Sequence, residues 1–414
     1  MKRIYLDNAA TTPLNEKVLE EMMPFLKDCF GNPSSIYQEG LSAKTAINNS
    51  RFKIGRILHS HDDEVYFVGG GTESDNLAIQ GVVQAYYLKN SQIEKVKKPH
   101  VITSLIEHPA ITNTIKELER RGLIEATYIS VDKNGLIDLK EFKEALLDTS
   151  ILVSVMYANN EIGTIEPISE VVKIVRKFKG THDVGYPYVH TDACQAMNYC
   201  DVNVERLGVD LMTFSGSKIY GPKGIGTLFV RRGVLIEPII YGGGQEGNLR
   251  SGTENVSGIV GMAAALEITE EMKESEVKRL ISLRDYFIKE ILEKISNAVL
   301  NGDIINRLPN NVHIKIPNID SDVLVIELDS RGISCSAKSA CKSDKSSGSS
   351  VLEALEKGSF LSKNKGLCIS QKSAPVGTLR FSLGRQTSRE DIDQTVSALL
   401  GVVKKYSQSE LFED

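Results

Sequence analysis

The chain has 414 residues, of which 41% are hydrophobic and 25% are charged, and its formal net charge is −5. That length exceeds the usual size of one domain and predicts two domains. The acidic balance argues against a general nucleic-acid or membrane surface, and no apolar run approaches membrane-spanning length or forms a signal-peptide core. We therefore expect a cytoplasmic protein that acts on a small molecule.

Between residues 63 and 230, short runs rich in Val, Ile and Tyr alternate with helical patterns. The runs are EVYFVGG, PHVITSL, ATYISV, ILVSVMYANN, PYVHTD, DLMTFSG and GTLFVRR. This alternation predicts an α/β domain with a mostly parallel sheet. Ligands in such sheets bind beyond the carboxyl ends of the strands. The residues that follow the runs are therefore candidates: 69–72, 108, 159–160, 192–195 and 215–218.

The C-terminal part of the chain has a different pattern. Residues 257–295 have helical periodicity, and NNVHIKIP, SDVLVIEL and TLRFSLG are strand-like. A last helix is expected near Thr387, where TSRE offers a capping box ahead of Ile392. These patterns predict a smaller α+β domain. The run of Ser, Lys and Gly at 336–350 has almost nothing to bury and predicts a mobile loop.

Six cysteines lack CxxC or metal-ligand spacing, so we expect reduced thiols and no metal site. Cys341 lies among Lys338, Lys342 and Lys345, and these cations should lower its pKa and make it a better nucleophile. Cys335 stands nearer a strand and is expected to be a core thiol.

Three glycines precede Thr72 in VGGGTESDN. The pattern fits a phosphate cradle at a helix N-terminus, or an ordinary strand-to-helix turn with a threonine cap. Neither nucleotide fingerprint is satisfied, because Ser74 stands where a third glycine is needed and no GK[ST] follows.

Lys218 follows Asp192 by one crossover, which should place a carboxylate and an amine at one rim of the sheet. Asp192 is either a helix N-cap or the partner of a protonated pyridine nitrogen, to whose ring Gln195 could also donate. Lys218 is either a surface charge or an amine that forms a Schiff base. His108 either stacks on a cofactor ring or is an ordinary buried histidine.

These residues, in this order, resemble the cysteine desulfurases, a family of enzymes that use pyridoxal phosphate. The similarity covers nearly the whole chain. It is carried by YLDNAATTP, FGNPSS, GGTESDNLAI, EHPA, NNEIGT, DACQ, SGSKIYGPKGIG, GGGQE, LRSGTEN, SAC and LRFSLGR. The resemblance implies the fold-type-I transferase architecture: a large domain with a mostly parallel seven-stranded sheet, at 14–260, and a smaller α+β domain formed by 1–13 and 261–414. The smaller domain would carry the mobile cysteine loop at about 335–350.

The resemblance also implies a role for each candidate. Lys218 would bond to the cofactor, Asp192 would meet the ring nitrogen, Gln195 the phenolic oxygen and His108 the ring face. The phosphate would be held by Gly71, Thr72, Ser215 and Ser217, and by Thr253 from a partner subunit. Asn160 would contact the cofactor, Asn32 and Arg380 the substrate carboxylate, and Cys341 would be the nucleophile.

The implied reaction converts L-cysteine to L-alanine and leaves a persulfide on Cys341 for a sulfur-acceptor protein. The long cysteine loop resembles the group that serves iron–sulfur cluster assembly and tRNA thiolation, and a homodimer is implied. Selenocysteine lyase or aminotransferase activity, or a catalytically weak sulfur carrier, are the alternatives. The chain departs from the family pattern at Ser217 and Tyr37, where histidine is usual, and in a longer stretch around Cys368.

Overall fold

The computed structural model describes residues 3–182, 185–337, 349–361 and 376–409. The described strands are β1 Ile4–Tyr5, β2 Val65–Val68, β3 His100–Ser104, β4 Glu125–Ile129, β5 Ser150–Ser154, β6 Tyr188–Asp192, β7 Leu211–Ser215, β8 Gly226–Val230, β9 Val299–Leu300, β10 Asn311–Pro317, β11 Ile333–Ser334 and β12 Val376–Ser382. The described helices are α1 Glu16–Lys27, α2 Gln38–Leu58, α3 Gly71–Lys89, α4 Pro109–Arg120, α5 Leu139–Glu144, α6 Ile168–His182, α7 Val204–Leu207, α8 Val256–Lys294, α9 Ser321–Asp329, α10 Ser350–Leu361 and α11 Arg389–Ser409.

All seven runs predicted as strands between residues 63 and 230 belong to one seven-stranded sheet, in the order β2-β8-β7-β6-β5-β3-β4. The strands β4, β3, β5, β6 and β7 are parallel, and β8 runs antiparallel to both of its neighbours. The predicted α/β fold with a mostly parallel sheet is therefore confirmed.

Helices cover both faces of this sheet, which explains why its central strands are buried along their whole length. Neighbouring residues point to opposite faces. Val153 packs with the core under α2, α6 and α8, whereas Leu152 packs with the core under α3 and α4.

A second group of strands lies outside the large sheet. Strands β12, β10 and β9 form an antiparallel sheet, and β1 pairs in parallel with β11. Their core includes residues from the C-terminal half of α8, such as Phe287, whereas Met262 in its N-terminal half packs under the large sheet. The predicted boundary at 260 falls inside this helix, and the division into two domains stays a prediction.

The interpretation of SDVLVIEL as a strand is wrong, because residues 321–329 form α9. The Asp320 side chain caps the helix by accepting a hydrogen bond from the Asp322 amide. Leu324 and Leu328, four residues apart, are the buried positions, whereas Ile326 is exposed. Residues four apart lie on the same face of a helix, and burying these two leucines on one face outweighed the β-propensity of Val and Ile.

The last helix begins close to the predicted position, but its capping box is one residue further on. Ser388 Oγ accepts from the Asp391 amide, and the Asp391 carboxylate accepts from the Ser388 amide. Thr387 Oγ1 instead accepts from the Gly384 amide. Among the helices that the structure describes, none is long and apolar enough to span a membrane.

Candidate active site

A cavity of about 190 Å³ lies beyond the carboxyl ends of β6 and β7, which are neighbouring parallel strands. Ten of the predicted site residues line it: Gly71, Thr72, His108, Asn160, Asp192, Gln195, Ser215, Ser217, Lys218 and Arg380. Gly71, Thr72, Ser215 and Ser217 also line an adjoining, more open cleft. The rule that ligands bind at strand ends therefore located this cavity from sequence.

Three predicted residues are not among those that line the cavity. Asn32 and Thr253 are exposed on loops, and neither lines the cavity within this single chain. Asn32 instead accepts a hydrogen bond from the Ser34 amide through its side chain. Cys341 lies outside the described residues, as does Cys368.

One end of the cavity carries backbone amides and hydroxyls that suit an anion. Helix α3 starts there at Gly71, and the amides of its first turn have no partner inside the helix. Gly70 has φ +152°, a conformation that favours glycine. Two hydroxyls stand at the same end, with Ser215 Oγ and Ser217 Oγ 3.1 Å apart. Backbone amides and hydroxyls together suit a phosphate group.

Lys218 extends its amine toward the N-terminal segment of the chain. Its Nζ donates to the carbonyl oxygens of Ala9, at 3.0 Å, and of Ala10. Thr12 secures this segment, because its amide donates to the Ser217 carbonyl at 2.9 Å. Ala9 and Ala10 therefore form a wall of the cavity. Sequence reasoning missed them because their contribution is made by the backbone.

Asp192 lies at the end of β6 and is 7% exposed, and its Oδ1 accepts from the Cys194 amide at 2.9 Å. A second carboxyl, Asp75, is 1% exposed at the cavity wall, and its Oδ1 has no hydrogen-bond partner among the described residues. Burial, and then the charge of Asp192, raise the pKa of Asp75 well above its usual value. Burial likewise raises the pKa of the Cys194 thiol. The sequence analysis gave neither side chain a role, although Cys194 falls in the candidate range 192–195 and Asp75 lies three residues after Thr72 in the helical pattern.

Two planar side chains, His108 and Gln195, also line the cavity. His108 caps α4, and its Nδ1 accepts from the Ala110 amide at 3.1 Å. The neutral ring therefore carries its proton on Nε2. Gln195 Nε2 donates to the Ala9 carbonyl at 2.9 Å.

Arg380 also lines the cavity. Its side chain is 2% exposed, its Nη2 donates to Asp7 Oδ1 at 2.7 Å, and its Nη1 donates to the Asn160 carbonyl at 2.8 Å. The contact with Asp7 was not foreseen from the sequence, although Asp7 belongs to the YLDNAATTP motif.

The described ends of the segment that contains Cys341 lie beside this cavity. Ser336 exchanges two backbone hydrogen bonds with Arg380, and Ser349 Oγ donates to Glu161 Oε2 at 2.5 Å. Cys335 is a buried core thiol, as expected from the sequence, and burial raises its pKa to about 12.

A family model described as Aminotransferase class-V matches residues 4–395 of the chain. The chain is 44% identical to the cysteine desulfurase IscS of Dictyoglomus turgidum, over 98% of this chain and 96% of that protein. It is 42% identical to the cysteine desulfurase IscS of Methanosarcina thermophila, over 98% of this chain and 93% of that protein.

Solved structures also superpose on this chain over most of its length. A NifS-like protein superposes with a TM-score of 0.84 at 33% identity, covering 97% of this chain and all of that chain. A NifS-like protein from Rickettsia africae has a TM-score of 0.81 at 29% identity, with 97% of this chain and 99% of that chain covered. SspA, solved in complex with cysteine, has a TM-score of 0.73 at 31% identity, with 92% and 98% covered.

Proposed function

Because the chain belongs to the aminotransferase class-V family and, within it, to the cysteine desulfurases, we propose that it removes sulfur from L-cysteine with the help of pyridoxal phosphate. The products would be L-alanine and a persulfide on Cys341. The observation that carries this proposal is the cavity itself, which gathers an anion cradle, a buried carboxylate, a lysine amine and an arginine around one space.

The residues present fit pyridoxal phosphate. The phosphate suits the start of α3 at Gly71 and Thr72, together with the hydroxyls of Ser215 and Ser217. Asp192 is a nearly buried carboxylate that faces the cavity, and a protonated ring nitrogen would supply the cation that such a group needs. When bound, pyridoxal phosphate withdraws electrons from the α-carbon of an amino acid and makes its α-proton acidic.

The side chains around the ring position would orient it. His108 would lie on the ring face and can donate from Nε2. Gln195 would donate to the phenolic oxygen, since its amide nitrogen carries two N–H groups and only one goes to the Ala9 carbonyl. Asn160 would contact the cofactor beside them.

Lys218 would hold and move the substrate's proton. Its Nζ would take the α-proton of the amino acid and return it later. The carbonyls of Ala9 and Ala10 would stabilise the resulting ammonium, because both accept from Nζ. Arg380, which lines the cavity, would bind the substrate carboxylate, and Asn32 would assist it.

Cys341 would then take the sulfur: its thiolate would attack the sulfur of the bound cysteine, and a sulfur–sulfur bond would form as the carbon–sulfur bond breaks. The β-carbon would keep the electron pair of the broken bond and take up a proton, and alanine would leave. The described anchors support this step. Cys341 lies four residues after Ala337, which accepts a hydrogen bond from Thr378 beside Arg380.

We further propose a homodimer in the cytoplasm that passes its sulfur to an acceptor protein. Exposed apolar side chains on the α1–α2 connection and α2, and one near Thr253, support an interface: Phe30, Ile36, Tyr37, Leu41 and Tyr241. An interface there would let Thr253 reach the phosphate site of the partner subunit.

The proposal is tested by measuring alanine formed from L-cysteine under reducing conditions. The wild-type protein loaded with pyridoxal phosphate should form alanine, and Cys341→Ser should lose this activity while keeping the visible absorption of the cofactor. Cys335→Ser is the matched control and should keep both. A wild-type protein that binds the cofactor yet forms no alanine would contradict the proposal.

A further inference from the structure

Arg380 is a buried cation with a single counter-ion. Its side chain is 2% exposed, and Asp7 is its ion-pair partner at 2.7 Å. No other acidic side chain in the described part of the chain lies within 4.0 Å of the guanidinium. Asp7 itself is 17% exposed, so the pair lies largely out of water.

Three titratable groups beside this pair are neutral near pH 7. His313 stands opposite Arg380 on β10, and burial, Arg307 and Arg380 lower its pKa to about 3. Burial and Asp7 raise the pKa of the Cys335 thiol to about 12. Burial and Asp7 also raise the pKa of the Tyr5 phenol. At the contact itself, one guanidinium is therefore balanced by one carboxylate, whereas Arg307 acts on His313 from outside the contact and Lys218 and Asp192 line the same cavity.

Arg380 still has hydrogen-bond donors to offer. A guanidinium carries five N–H groups. One is donated to Asp7 and another to the Asn160 carbonyl, and the buried Nε has no hydrogen-bond partner among the described residues. What opposes a second carboxylate here is charge, because Asp7 already neutralises the guanidinium and two carboxylates on one cation repel each other.

We propose that Asp7 is a specificity-determining residue, which competes with the ligand's carboxylate for Arg380 and so disfavours carboxylates that lack an amino group. An amino acid brings its own ammonium, which offsets the charge of Asp7, whereas a simple carboxylate does not. The inference rests on the proposed function in one respect, namely that Arg380 binds the substrate carboxylate.

The test compares three small ligands on the full-length protein loaded with pyridoxal phosphate. L-Alanine has both charged groups, propionate lacks the amino group, and propionamide has neither charge. Their dissociation constants are measured by calorimetry and by the rise in unfolding temperature. Asp7→Asn should bind propionate about tenfold more tightly, the effect expected when one partly buried like charge is removed. Alanine should gain less, and propionamide should not change.

Matched variants separate charge from other effects. Asp63→Asn breaks an exposed aspartate–arginine pair at 2.7 Å elsewhere and should leave all three constants unchanged. Asp7→Ser removes the same charge with a different shape and replaces Asp7→Asn if that variant does not fold. Unchanged or weaker propionate binding in the neutral Asp7 variants would overturn the inference, because Asp7 would then only hold Arg380 in place. If Arg380→Gln binds propionate as tightly as the wild type does, Arg380 does not bind the substrate carboxylate, and the inference about Asp7 is overturned with that assignment. Alanine formation from cysteine tests the proposed function separately.

Discussion

Gly226 sets the position of the anion cradle, and replacing it with alanine is a direct perturbation of the proposed phosphate site. Gly226 begins β8 and pairs with Val68 at the end of β2. A Cβ added there would lie 2.6 Å from the carbonyl carbon of Gly70, 2.8 Å from its Cα and 2.9 Å from its oxygen. Carbon atoms in contact are normally about 3.5–4.0 Å apart, so the two segments must separate by roughly 1 Å.

The obstacle is backbone, so no flexible side chain can absorb the shift. Overpacking of this kind should destabilise the protein by about 1–3 kcal/mol. The displaced turn is the one that starts α3, so its amides would point away from the phosphate. Losing one hydrogen bond to a charged group, worth about 1.5–3 kcal/mol, should weaken cofactor binding by roughly 10- to 100-fold.

The assay is an equilibrium titration of the apoprotein with pyridoxal phosphate, paired with urea unfolding. Gly401→Ala is the matched control, since Gly401 lies in α11 with nothing within 4 Å of an added Cβ. It should raise stability by about 0.5–1 kcal/mol and leave cofactor affinity unchanged. A Gly226→Ala protein that is destabilised but binds the cofactor like the wild type would refute the role of the α3 N-terminus.

Three further outcomes are expected. Burial raises the pKa of Glu166 from 4.5 to about 8, so the folded protein keeps a proton that the unfolded chain releases, and stability is lost as pH rises from 4.5 towards 8. In Glu166→Gln the difference between the urea midpoints at pH 5 and pH 8 should shrink. An undiminished difference would contradict this role of Glu166. Ser217→His restores the family residue and should tighten cofactor binding about two- to tenfold by adding an N–H donor, whereas equal affinity in the same titration would show that position 217 does not reach the phosphate. Cys335→Ala should keep the wild-type rate of alanine formation, because the buried thiol is neutral at pH 7; loss of activity in a folded variant would make Cys335 a functional thiol.

The strands of the large sheet were predictable because each is a short apolar run that ends in a turn residue. The cavity followed from them, since Asp192 ends β6 and Lys218 lies three residues after the end of the neighbouring strand β7. The error at α9 has the opposite cause: a segment rich in Val and Ile has high β-propensity, and only the Asp320 cap and the spacing of the buried leucines indicate a helix.

Contacts between distant parts of the chain could not be read from local patterns. Asp7 meets Arg380 across 373 residues, and Ala9 meets Lys218 across 209 residues. Asp75 follows Thr72 in an ordinary helical pattern, and its burial, with Oδ1 lacking a hydrogen-bond partner among the described residues, becomes visible only when the wall around it is known. These contacts and buried positions arise only when distant segments of the chain pack together.

The measurement that tests the central claim most directly is mass spectrometry of the cofactor-loaded protein after incubation with L-cysteine. The account predicts one additional sulfur on the peptide that contains Cys341, and none on that peptide in Lys218→Ala. Alanine formation with the added sulfur located on Cys335 or Cys368, or with no protein-bound sulfur at all, would contradict it.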